Sequence, residues 1–132
     1  MKTILEINTF LFQLVSTTIG TTLTGGVYIL ERPVSSKEED IVVGTMPLSE
    51  EQIAICNINI FVPDKTVGIG GTTNMMPDVS RMGALANTVI QALDQDTELE
   101  QYHYRIINQT IIDEPDLDQH FLNLRLELRL YF

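Results

Sequence analysis

Cysteine appears once in this 132-residue sequence, tryptophan never, and lysine plus arginine only eight times against 18 aspartates and glutamates. A single thiol, Cys56, makes no internal disulfide, and with only two histidines it completes no zinc-finger pattern, so the expected setting is a reducing cytoplasm. The shortage of basic residues leaves a formal net charge of -10, which repels polyanions at moderate salt and argues against a surface that grips nucleic acid. Also missing is an apolar run near the 18 residues that a membrane-spanning helix needs. In "MKTILEINTFLFQLVSTTIG", Glu6, Asn8 and Gln13 interrupt the apolar stretch after Lys2, and no A-x-A-like cleavage site follows, so neither a membrane span nor a secretory leader is expected.

What is present has the composition of an ordered globular chain, 44% hydrophobic and 20% charged, without a low-complexity tract. Its length fits one domain over residues 1–132, enough to bury about two-thirds of the surface exposed by the unfolded chain.

The first segment places Ile4, Ile7, Leu11, Leu14 and Val15 at spacings of three and four, with Leu5 and Phe12 widening the stripe, which predicts an amphipathic helix ended by Gly20. Short strands follow, "VYIL" at 27–30, "IVVGTM" at 41–46 and "IAICNINIFV" at 53–62. In the third, Ala54, Cys56, Ile58, Ile60 and Val62 share one face and Asn57 and Asn59 the other, so Cys56 is expected to be a buried, inert hydrophobe. The connection "ERPVSSKEED" between the first two strands reads as an exposed hairpin, either a solvated loop or a contact for a neighbouring subunit through Glu31, Arg32, Lys37, Glu38 and Glu39.

The stretch "TVGIGGTTNMMPDVS" raises the question of phosphate binding. A phosphate-cradling loop needs backbone N–H groups packed at a helix start, with a lysine in reach. Gly68, Gly70 and Gly71 instead lie seven or more residues before Asp78, which, with Ser80, is a candidate cap for a helix whose stripe is Met82, Leu85, Ala86, Val89, Ile90 and Leu93. No cofactor is expected. The stretch 63–77 reads as a long loop ordered by a partner, in which Met75 and Met76 offer adaptable contacts.

Two strands close the pattern, "YHYRIINQTII" and "HFLNLRLELRLYF". In the last, Leu122, Leu124, Leu126, Leu128, Leu130 and Phe132 alternate with a polar face bearing Arg125, Glu127 and Arg129, a face suited to pairing with a second subunit. The turn between them gathers Asp113, Glu114, Asp116, Asp118 and His120, but glycine and glutamate are missing where a calcium loop requires them, so no metal is expected. His103 and His120 stand at no telling spacing from a serine or cysteine, and Asn108-Gln109-Thr110, a glycosylation acceptor by composition, has no secretion signal to go with it.

The order is helix, three strands, helix, two strands, which predicts a two-layer α+β sandwich with two helices on one face of a mostly antiparallel five-stranded sheet. This order, with Val27-Tyr28 in the first strand, Arg32-Pro33 opening an acidic connection, Ile41-Val42-Val43 returning and "NINIFVPD" next, resembles the tail-terminator and head-tail joining proteins of long-tailed bacteriophages and prophages. The resemblance implies a homo-oligomeric ring, typically a hexamer, that caps the tail tube or joins it to the head connector. It implies assembly in the bacterial host cytoplasm, a place in the virion tail, no enzymatic activity, and subunit contacts through the 31–40 connection and the 63–77 stretch. A lumen lined with acidic residues would let DNA pass without binding it. A rival reading from another class is a small cytoplasmic enzyme or ligand-binding domain whose pocket, between sheet and helices, is lined by His103, His120 and the acidic turn.

Overall fold

The computed structural model describes residues 3–19, 21–46, 53–97, 102–114 and 117–130. Helix α1 spans Ile4–Ile19 and begins where Thr3 caps it: the hydroxyl accepts the Glu6 amide at 3.1 Å and meets the Glu6 carboxylate at 3.4 Å, a Thr-x-x-Glu start. Its buried face is Ile7, Leu11, Val15 and Ile19, with Asn8 beside them. Leu5, expected to widen that stripe, is 72% exposed. At about 100° per residue it lies roughly opposite Ile7, and Asn8 takes the flank instead.

Three strands follow, β1 (Val27–Ile29), β2 (Asp40–Thr45) and β3 (Ile53–Pro63). Then come β4 (Lys65–Ile69) and β5 (Thr72–Met76), helix α2 (Val79–Thr97), and the closing strands β6 (Tyr102–Glu114) and β7 (Gln119–Leu130). The main sheet runs β1-β2-β3-β7-β6, so β3 and β7, far apart in sequence, are neighbours. Cys56 stands between Thr45 of β2 and Leu126 of β7. Both helices lie on one face, and a single cluster of buried side chains joins them to the sheet. The architecture is therefore α+β, two helices on a mostly antiparallel five-stranded sheet.

Period-two alternation sets the core as expected. Ala54, Cys56, Ile58, Ile60 and Val62 are at most 1% exposed, and Leu124, Leu126 and Leu128 meet them from β7. The positions expected for Leu130 and Phe132 lie outside the described side chains. Asp78 rather than Ser80 caps α2, its carboxylate accepting the Arg81 amide at 3.2 Å. Tyr102 ties the layers together: its hydroxyl donates to the Leu93 carbonyl at 2.5 Å, and its ring meets Phe10 edge to face at 5.2 Å.

Two connections differ from the expectation. β1 and β2 pair in parallel, Val27 opposite Ile41, so the stretch expected as a hairpin at 31–40 is a crossover that runs into β2 at Asp40. β1 has three residues, a rise of about 10 Å, and ten residues are enough to carry the chain back to its start. The turn into the crossover is a γ-turn at Leu30, whose φ is 69°, closed by the Glu31 amide on the Ile29 carbonyl at 2.8 Å. The second difference is the 63–77 stretch, which is largely a two-stranded antiparallel hairpin and not an irregular loop. Gly70 and Gly71 form its two-residue turn with φ of 58° and 81°, the paired positive values that only glycine and a few polar residues adopt readily.

Candidate functional site

The crossover is held by a buried polar cluster. Asp40, at 1% exposure, accepts from the Arg32 guanidinium at 3.2 Å, the Ser36 hydroxyl at 2.5 Å and the Gly26 amide at 3.0 Å. The other branch of Arg32 donates to Gln119 Oε1 at 2.7 Å, and the guanidinium lies 3.8 Å above the Phe61 ring. Gln119 is fully buried and donates to the Glu38 carbonyl at 3.2 Å, which ties the crossover to the start of β7.

Glu39 turns to the other layer, where it takes two donors from Arg81 at 2.6 and 2.9 Å and the Thr24 amide at 3.4 Å. Of the five residues expected as contacts on this connection, Arg32 and Glu39 are thus engaged within the chain, whereas Glu31, Lys37 and Glu38 lie on its exposed rim. No local pattern marks Arg81, Asp40 and Gln119, whose charged or buried side-chain partners Glu39 and Arg32 lie 42, 8 and 87 residues away.

The Arg81 hydrogen bonds hold the Glu39 carboxyl below its ordinary value of 4.5, against a smaller opposing effect of burial. A depressed carboxylate pKa stabilises the fold above the unfolded-state value and loses that contribution as pH falls through the folded value. Urea midpoints should therefore hold between pH 7 and about 5 and decline below about 4.5, and Glu39→Gln should lower stability at pH 7 while flattening that decline. An undiminished acid slope in Glu39→Gln would show that other carboxylates carry it.

The hairpin of β4 and β5 projects as an arm. Its two strands pack on each other and make no substantial contact with another element among the described residues. Around Gly68, Gly70 and Gly71 an added Cβ would meet nothing within 4 Å, and Met75 and Met76 are 48% and 40% exposed. The arm's base is anchored by the Asp64 amide on the Asp118 carbonyl at 2.9 Å and by the Asp64 carboxylate on His120 Nδ1 at 2.7 Å. No protein-family model matches the chain, and no curated sequence matches it at a significant level.

The sheet face away from the helices carries Arg125, Glu127 and Arg129, with Glu127 paired to Arg105 at 3.0 Å and to Arg129 at 3.3 Å. Those two hydrogen bonds lower the Glu127 pKa. Beside them is an open cleft of about 370 Å³ lined by His103, Tyr104, Arg105, Glu127 and Arg129. Further along the face Asn123 donates to Asn59 at 2.6 Å and Asn57 at 3.2 Å.

The structure does not bring the two histidines together. His103 is opposite Arg129, whereas His120 lies nine residues along β7, roughly 30 Å away. His120 sits between Asp64 and Asp113, its Nε2 3.5 Å from the latter. Asp118 takes a positive φ of 50° in the turn, and Asp116 lies outside the described residues. Among the described residues no three His, Cys, Asp or Glu side chains gather as metal ligands, and no helix is long and apolar enough to cross a membrane. Cys56 is buried with its thiol pushed up to about 11, beside the Thr45 hydroxyl at 3.8 Å, which suits packing and not nucleophilic attack.

Proposed function

We propose that this chain is a structural assembly protein of a phage or prophage tail, one that closes into a homo-oligomeric ring capping the tail tube or joining it to the head connector. The observation that carries the proposal is the arm. A two-stranded hairpin is marginally stable alone in water, and this one exposes methionines and packs substantially against no other described element, so we take its stabilising partner to be another molecule. The order of the remaining elements supports the same reading, since it is the order on which the family resemblance rests.

In this reading Glu31, Lys37 and Glu38 on the crossover rim, Gly68, Gly70, Gly71, Met75 and Met76 on the arm, and Arg125, Glu127 and Arg129 on the open sheet face are the contact surfaces. Head-to-tail contacts repeated by rotation close a ring without two-fold symmetry. The ring binds no nucleic acid specifically, carries no catalytic site, and lets DNA pass.

Lys65 and Met76 are cross-strand partners, so residues 66–75 can be replaced by a two-residue linker without stretching the body of the fold. Native mass spectrometry should show a closed ring for the intact chain and a folded monomer for the deletion, with unchanged circular dichroism and melting temperature. A deletion that assembles normally, or an intact chain that stays monomeric or dimeric with a reproducible small-molecule adduct, would refute the assembly role.

A further inference from the structure

The β6 edge of the main sheet is uncovered by any strand among the described residues, since β6 ends the strand order. Its central stretch, Ile106 to Ile112, has no charged residue and no proline, the usual guards of an exposed edge. One bulge lies between Ile106 and Asn108; beyond it the strand runs regularly to Glu114, with Ile111 and Ile112 exposed at 45% and 40% on opposite faces. An edge this long and uncharged is a template for another strand.

The arm is the matching unsatisfied element. Each of its strands has five residues, which fits within the seven residues from Asn108 to Glu114. Met75 and Met76 supply flexible apolar side chains for Ile111 and Ile112. Lys65, the partner of Met76 and the arm's one charged residue, is opposite in sign to Asp113 and Glu114 at the end of the edge. Within one chain, β7 separates β3, which carries the arm, from β6.

From this match we infer that the arm of one copy adds to the β6 edge of the next copy, extending its five-stranded sheet. The inference rests on the ring reading above and specifies its interface: donor and acceptor are different surfaces, so the contact is head to tail and propagates around a ring.

The test uses two variants of the full chain, each disabling one half. In the first, residues 66–75 are replaced by the two-residue linker. In the second, Gln109→Lys with Ile111→Lys places positive charge on the edge, where it repels Lys65 and discourages strand addition. Each alone should be a monomer by native mass spectrometry at a concentration where the intact chain forms rings. Mixed, they should give a 1:1 dimer and nothing larger, because one intact arm meets one intact edge. That dimer also shows that both variants are folded.

Rings formed by either variant, or a mixture without the 1:1 dimer, would overturn the arm-to-edge contact while leaving ring formation by the intact chain standing. An intact chain that stays monomeric across the concentration series would overturn both.

Discussion

Arg32→Ala should destabilise the fold by about 3–5 kcal/mol, the effect of leaving a buried carboxylate without its counter-charge. Asp40 is 1% exposed and its partner 10% exposed, so the carboxylate has little solvation of its own to offset loss of the guanidinium. The same substitution leaves Gln119 Oε1 without its 2.7 Å donor and uncovers the Phe61 ring. Lysine restores a charge but neither the fork that reaches Asp40 and Gln119 together nor the flat stacking, so Arg32→Lys should recover only part of the loss. Neutralising the stranded group in Arg32→Ala with Asp40→Asn should recover part as well. Urea unfolding gives each value from the midpoint at constant slope, and a loss below about 1 kcal/mol for Arg32→Ala would show that the cluster is not a main tie of the crossover.

Gly25→Ala should cost about 3 kcal/mol for a different local reason. A Cβ at Gly25 would stand 2.0 Å from Asp40 Oδ1 and 2.6 Å from the Glu39 carbonyl oxygen. Either the Asp40 carboxylate or the backbone of β2 must move, and the Gly25 amide loses its 2.9 Å bond to the Glu39 carbonyl. Gly26 is the control, since a Cβ there meets first the hydroxyl end of Tyr28 at 3.2 Å, a side chain able to swing aside. Because Gly25→Ala and Arg32→Ala damage the same cluster, the double variant should be less destabilised than the sum, by a coupling of about 0.5–3 kcal/mol. Strict additivity would mean that Gly25 acts through the backbone alone.

The layers of this fold were legible because they follow periodicity. β3 and β7 alternate so cleanly that their buried faces could be read residue by residue, and the stripe of α2 placed Met82, Val89 and Leu93 correctly. The arm is legible in principle, because Gly70-Gly71 between two extended stretches is a hairpin signal, although the same glycines also resemble a phosphate loop. The parallel pairing of β1 was not legible. Three residues carry no directional pattern, and what turns 31–40 into a crossover is the contact of Arg32 with Phe61, Asp40 and Gln119, which no spacing rule encodes. Of the candidate site, exposure and charge could be anticipated for Glu31, Lys37 and Glu38, whereas the inward turn of Arg32 and Glu39 depends on partners from other elements. The edge of β6 escaped for a related reason: a strand's place at the rim of a sheet is a property of the strand order, not of the strand.

That order also bears on how the chain reaches its native state. β3 pairs on one side with β2, which precedes it closely, and on the other with β7, where Ile53 faces Arg129 across 75 intervening residues. The middle of the sheet therefore closes only when β7, made long after β3, comes in beside it. Until then the nascent chain has helices and a partial sheet but an open apolar seam along Cys56, Ile58 and Ile60, and closing that seam requires a long loop to be drawn in before its contacts repay the lost entropy. Folding on a translating ribosome is accordingly delayed until β7 has emerged, with the seam exposed to aggregation or to a chaperone in the interval.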